Sequence, residues 1–205
     1  MKVSAYIISV DSGFSPNPYG RHCTLACCKP TIRRNAESGD IIVGSGSVRS
    51  GLSGRLIYAM RVGAVLPFQD YWERYPSKRP SSRTPVSRRG DNIWHTDSTG
   101  VWRGVRGALH DDRHRERDLR GENALISEEF FYFGREAILV PGEFASVLAN
   151  TQGHRNTHDP ELITRFWEWL ARMAPRSGRI GQPVEFTDAG CRAQRSDNDE
   201  DESVC

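Results

Sequence analysis

Apolar residues crowd the start of the chain. Val3, Ala5, Tyr6, Ile7, Ile8 and Val10 leave little polar relief, the pattern of a strand covered on both faces. The run ends at Asp11 and a loop rich in Gly, Pro, Asn and Ser (11–20) rather than at a small-residue cleavage site, so it reads as a strand and not a signal peptide. A short apolar run, Cys23 to Cys28, stops at Lys29-Pro30, and residues 31–37 suit one or two helical turns. Ile41-Ile42-Val43-Gly44 predicts a second strand released by Gly44-Ser45-Gly46-Ser47. Arg55 to Val62 predicts the clearest strand, continuing to Leu66, with a short helix opening at Pro67.

Residues 76–90 hold three prolines, four serines and several arginines and are expected to form an exposed loop. Residues 91–120 are polar and poorly periodic. Apolar order returns at 124–134 and at 137–140. Asp159 is a natural N-cap before Pro160, after which Leu162, Ile163, Phe166, Trp169, Leu170 and Met173 keep helical spacing on one face. Short strands at both ends and one good helix late predict an α+β domain, a mixed β-sheet that curls or closes into a small barrel, flanked by a few helices. The expected organisation is one domain over 1–186, with an Arg-rich insertion at about 74–120, and an acidic, disordered tail over 187–205.

Composition changes this picture in two places. The net charge of +2 excludes an obviously basic nucleic-acid binder, yet the charge is unevenly laid out. The tail carries six acids and two bases, while residues 74–120 carry 12 bases and 6 acids, a positive excess of six. Of the 28 basic residues, all but Lys2, Lys29 and Lys78 are arginine, whose fork suits phosphate, carboxylate and stacked bases, although genome composition alone produces the same bias. Second, the 5 cysteines are odd in number and two are adjacent, which suits a reduced, cytoplasmic setting. No apolar run is long enough to span a membrane, so none is expected as a partner.

Candidate chemistry is sparse. His22 and Cys23 followed by Cys27 and Cys28 invite a zinc reading, but no second pair has finger spacing; small residues packing in a core explain them better, with a single catalytic cysteine (Cys23 or Cys28) as the alternative. His110 and His114, and His154 and His158, are each four apart; solvated polar residues are the expected explanation for both pairs. Gly44 to Ser47 lacks the ending of a phosphate-binding loop and is expected to be a tight turn, with its backbone amides facing an anion as a weaker option. Gly90-Asp91-Asn92-Ile93-Trp94-His95 offers an acceptor, an amide and an imidazole beside a stacking ring. It reads equally as an Asx-type turn with Trp94 plugging the core. No cofactor or metal site is expected.

Several stretches together resemble the second of the nucleotide modification associated domain families. They are Asp11 to Tyr19, Cys23 to Arg33, Gly39 to Ser47, Leu56 to Val62, Tyr71-Trp72, Lys78-Arg79-Pro80, Gly90 to His95 and Leu125 to Gly134, spread over roughly residues 1–180. The alternation of strand, Gly-Asp, strand and long strand also resembles PUA-like barrels (ASCH, EVE and YTH relatives), some of which hold a modified base. The resemblance implies binding of a modified nucleotide or nucleic acid within a base-modification or phage-conflict system, with Asn17, Lys29, Arg33, Asp91, Asn92 and His95 as the site. Tyr19, Trp94 or Trp102 would stack a base, Asn92 and Asp91 would address its edge, and Lys29, Arg33 and the 74–120 arginines would hold phosphates. The alternative it implies is a small enzyme on a modified base, with His95 as general base oriented by Asp91 and Cys23 or Cys28 as nucleophile. A third reading is a protein-interaction module, suggested by Trp167 and Trp169 on neighbouring faces of the late helix, with a protein partner from a modification system. The sequence around His110 departs from the family pattern, which speaks against roles for His110 and His114.

Overall fold

The structure is a computed structural model and describes residues 1–150, 153–174 and 176–185; the acidic tail, Cys191 and Cys205 lie outside them. In chain order the elements are β1 (Val3–Ile8), β2 (Cys23–Leu25), α1 (Pro30–Asn35), β3 (Ile41–Gly46), β4 (Arg55–Arg61), β5 (Ala64–Pro67) and α2 (Phe68–Arg74). Then come β6 (Trp94–Thr96), β7 (Trp102–Gly104), α3 (Arg115–Leu119), β8 (Asn123–Ser127), β9 (Glu129–Tyr132), β10 (Ile138–Leu139), β11 (His154–Thr157), α4 (Pro160–Met173) and β12 (Gly178–Arg179).

Three layers result. The central sheet has strand order β11-β1-β3-β4-β9-β12, with β10 also on β4; β1 and β3 run parallel, β3, β4 and β9 antiparallel. Side chains alternate across a strand, so β1 sends Val3 and Ala5 to one face and Tyr6 and Ile8 into a different cluster. The first face packs under α4 through Ile163, Phe166, Trp167 and Leu170. The second face meets the small sheet β2-β8-β5 and α1 through Leu25, Leu125 and Ile32. The fold is thus α+β, as its sequence pattern implies, but its sheets stay open and the barrel alternative does not hold.

The long strand expected over 55–66 is instead broken at Val62-Gly63, so β4 stays in the central sheet and β5 enters the small one. The apolar run 124–134 breaks likewise at Glu128 between β8 and β9. The two breaks face each other, since Gly63 N–H donates to the carbonyl of Ile126 at 2.8 Å. The two-sheet architecture therefore comes from two strands changing sheet at one corner.

Gly44 to Ser47 is not a tight turn either. β3 runs through Gly46, with a bulge at Gly44/Ser45. Gly44 pairs with Tyr6 on one side and Tyr58 on the other, and a Cβ there would strike the Tyr58 ring; the glycine serves packing, and its strand pairing leaves no anion loop. The late helix is as expected: Asp159 Oδ1 accepts from the amides of Glu161 and Leu162 at 3.0 and 3.1 Å. Met173, which the periodicity put on the apolar face, is 57% exposed. Trp167 is buried against Phe131 beneath the Arg61 guanidinium, and Trp169 packs on Phe144 and Phe166. Both tryptophans are engaged within the chain.

The largest departure lies in 75–120. Residues 82–84 and 86 are exposed as expected, but Lys78, Arg89, Gly90 and every residue from Asp91 to Trp94 are buried. His110 and Asp118 turn inward too. The segment forms the ribbon β6–β7 and α3, and its few apolar residues close a separate small core: Phe14, Cys27, Cys28, Phe68, Ile93 and Trp94, with Trp102, Ala108, Leu109 and Leu119 against it.

Candidate functional site

That small core encloses a chain of polar groups. After β2 the backbone turns at Cys28 and Lys29, both in the left-handed region at φ 60° and 43°, before Pro30 opens α1. A non-glycine residue held there costs about 1–3 kcal/mol and persists only where its surroundings over-determine it. At Cys28 they do. Its amide donates to Asp118 Oδ1 at 2.9 Å, and its carbonyl accepts from Arg33 Nε at 2.7 Å. Its Sγ lies 3.8 Å from His110 Nε2, while His110 Nδ1 lies 2.6 Å from Asp118 Oδ2.

The protonation states follow. Asp118 is 0% exposed, and burial pushes its carboxyl up. The His110 hydrogen bond and charge, the Arg33 guanidinium and the Cys28 amide more than offset this, holding it well below the usual carboxylate range. An ionised carboxylate only accepts, so His110 Nδ1 carries a hydrogen towards Asp118, which leaves Nε2 turned to the Cys28 sulfur. Trp94 Nε1 also donates to Asp118 Oδ2, at 3.1 Å. The Phe14 ring packs edge-on to His110 at 4.8 Å, and the His114 ring stacks on it at 4.3 Å.

Arg33 anchors this arrangement from below. It is fully buried, and its fork donates to the carbonyls of Cys28, Asn123 and Asp118 at 2.7, 2.7 and 2.6 Å. Arg33 is therefore not a phosphate ligand, contrary to the expectation. His110 is buried and not the solvated residue expected, whereas His114 is half-buried and bonded to exposed Asp111, and His154 and His158 are exposed as expected.

The sequence-predicted residues divide into three groups. Asp91 is buried and ties elements together: Oδ2 accepts from Thr24 and Oδ1 from Tyr71, both at 2.8 Å. Burial pushes its carboxyl up, against the pull of Lys78 and these hydrogen bonds. Both its oxygens are thus occupied by hydroxyls, and His95, stacked on Trp72 at 4.0 Å, is not oriented by it. Asn17 and Lys78 form a second structural knot: Lys78 Nζ donates to Asn17 Oδ1 and to the carbonyls of Asn17, Tyr19 and His22, while Asn17 Nδ2 donates to Arg89 O. Asn92 Nδ2 donates to the carbonyls of Tyr71 and Tyr75.

Trp94 is the core plug rather than a stacking platform, being 0% exposed, and Trp102 packs edge-on to Phe68. Cys23 is 0% exposed and burial pushes its thiol up to about 12, which removes it as a nucleophile. Lys29 lies over the Tyr6 ring at 5.0 Å, and Tyr19 lies beneath Arg179 at 5.5 Å with its carbonyl accepting from Lys78. Asn92 Oδ1, His95 Nδ1 and the Tyr19 hydroxyl have no hydrogen-bond partner among the described residues. A shallow cleft of about 350 Å³ between His22, Arg61, Tyr75, Glu128 and Glu129 contains none of the predicted residues.

A metal is the competing use of the polar chain. Ligand atoms of Cys27, His110 and Asp118 lie within 4.8 Å of one another. Yet Asp118 already accepts from an amide, an indole and an imidazole, and Cys27 Sγ donates to Asp91 O at 3.5 Å. These hydrogen bonds hold His110 in place without an ion.

The structure thus defines an open-sheet α+β protein with a buried thiol–imidazole–carboxylate chain beneath a polar cover. The family model of nucleotide modification associated domain 2 matches residues 1–190, and the chain belongs to that family. No curated protein and no solved structure matches it.

Proposed function

We propose that this chain takes part in a nucleotide-modification system by binding a nucleotide, free or within nucleic acid, on the face that residues 91–120 form above Cys28. One observation carries the reading. Residues 91–120 hold six arginines and six acids, but Asp91 and Asp118 are buried, so the groups left outside are six arginines, Arg103, Arg106, Arg113 and Arg120 among them exposed, against four acids. Exposed Arg88 belongs to the preceding stretch 74–90, which holds six bases and no acid. Arg103 and Arg113 are paired with Asp97 and Asp111, and such exposed pairs are weak enough for a polyanion to displace. Family membership supplies the nucleotide context. The residues first expected to bind, Asn17, Arg33, Asp91, Asn92 and Trp94, are structural, so the ligand belongs on the cover and not among them.

The test is fluorescence anisotropy with labelled DNA, RNA and nucleotides, modified bases included, at low and moderate salt. Salt-sensitive binding that weakens about two- to fivefold per charge in Arg106→Glu and Arg120→Glu is the expected outcome. Absence of binding to all of these, or binding indifferent to both reversals, overturns it.

A further inference from the structure

The polar chain beneath the cover is organised for more than binding. Cys28 Sγ, His110 Nε2, His110 Nδ1 and Asp118 Oδ2 follow one another at 3.8 Å and 2.6 Å, the order needed for a thiol, its base and the carboxylate that fixes the base's tautomer. The three residues come from separate places in the sequence, 82 residues apart between thiol and base, so no local turn produces the alignment. The other two described cysteines are set differently. Cys23 lies within β2 with its thiol pushed up by burial, and Cys27 Sγ is directed to the Asp91 carbonyl. The Cys28 thiol lies 3.8 Å from an imidazole whose other nitrogen is held by Asp118.

We propose that Cys28 is a nucleophile, with His110 as its general base and Asp118 as the positioning residue, and that it hydrolyses an acyl group carried as an amide or ester on a nucleotide. The nucleotide half of this statement rests on the reading above; the acyl-transfer half stands on the geometry. The Cys28 proton passes to His110 Nε2, and the thiolate attacks the carbonyl carbon, forming an S–C bond while the C=O π pair moves to oxygen. The adduct collapses with cleavage of the C–N or C–O bond, and the leaving amine or alcohol takes the proton from His110. Water then attacks the thioester, yielding a proton to His110; the S–C bond breaks, carboxylic acid leaves and Cys28 recovers its proton. The net change is hydrolysis by one water, with no oxidant or reductant.

Access is from the side of His114. Cys28 and His110 are 3% and 5% exposed, whereas the stacked His114 side chain is 28% exposed and bonded to the exposed Asp111. The charged and titratable groups facing His110 are Cys27, Cys28, Arg33, Asp118 and His114, with Asp111 behind His114.

The experiment uses the full chain with p-nitrophenyl acetate, a small ester that needs no nucleotide. Release of p-nitrophenolate and peptide mapping of the trapped acetyl-enzyme are read together. The expected result is an acetyl thioester on Cys28, lost in Cys28→Ala and Cys28→Ser. Release slows about 100-fold or more in His110→Gln, and Cys27→Ser acts as wild type. Asp118→Asn moves the rising limb of the rate–pH profile upward, a change that mere loss of packing does not produce, and circular dichroism checks that each variant is folded. No adduct on folded wild type, an adduct elsewhere, or equal loss in Cys27→Ser and Cys28→Ser overturns the proposal. So does stoichiometric bound zinc that is lost in Cys27→Ser. If Cys28→Ala still binds nucleotide and no adduct forms, only the acyl-transfer proposal fails; if the adduct forms and no nucleotide binds, only the binding reading fails.

Discussion

Asp118 illustrates how one buried carboxylate sets the state of its neighbours. Its folded pKa is depressed, so its contribution to stability is present above the unfolded value of 3.8 and lost as pH falls through the folded value. Asp118→Asn should therefore lower the melting temperature at neutral pH and flatten its decline towards acid, read from thermal melts across the acid range. Equal slopes for variant and wild type would contradict the assignment. Arg33 makes a second test. Gly121 sits so close that a Cβ there would strike the guanidinium, which three carbonyls hold in place and which cannot swing aside. Gly121→Ala is expected to cost about 1–3 kcal/mol in denaturant unfolding. Asp91→Ala is expected to cost about 2–4 kcal/mol, because the buried hydroxyls of Thr24 and Tyr71 lose their acceptor, while the acetylation of Cys28 continues. Of these residues Asp91 and Cys28 were legible as polar candidates in sequence. His110 was marked only as one of a histidine pair expected to be solvated, and Asp118 not at all: both lie among arginines, and the signal that their segment is folded is six scattered apolar residues, Ile93, Trp94, Trp102, Ala108, Leu109 and Leu119, which converge only in three dimensions.

At the scale of elements, helix α4 was readable because cap, proline and apolar spacing agree over 14 residues. Asp159→Ala should cost about 1 kcal/mol, since the cap is exposed and satisfies two amides, whereas Phe166→Ala should cost about 3–5 kcal/mol by emptying the interface with the central sheet. Chemical denaturation of both variants measures the contrast, and similar losses would contradict this division between cap and core. Strands β4 and β9 were legible as apolar runs, but their changes of sheet at Gly63 and Glu128 were not. An apolar run fixes burial, and only the partner strand fixes which sheet receives it.

For the whole molecule, the charge arithmetic of the sequence kept its value after its first structural interpretation failed in part. Part of the arginine-rich stretch is the exposed loop expected, at 82–84 and 86, while residues 91–120 form a folded cover whose inner side chains complete the Cys28 cluster. Among the described residues no helix is long and apolar enough to cross a membrane. Cover and thiol belong to one site if a ligand held on the first shields the second. Iodoacetamide alkylation of Cys28, followed by peptide mapping with and without the nucleotide or nucleic acid that binds best, measures that link. Cys23 and Cys27 serve as internal references. At a ligand concentration about tenfold above Kd, alkylation of Cys28 should slow about tenfold, with the references unchanged. Alkylation of Cys28 at one rate with and without bound ligand would separate the two and contradict a shared site.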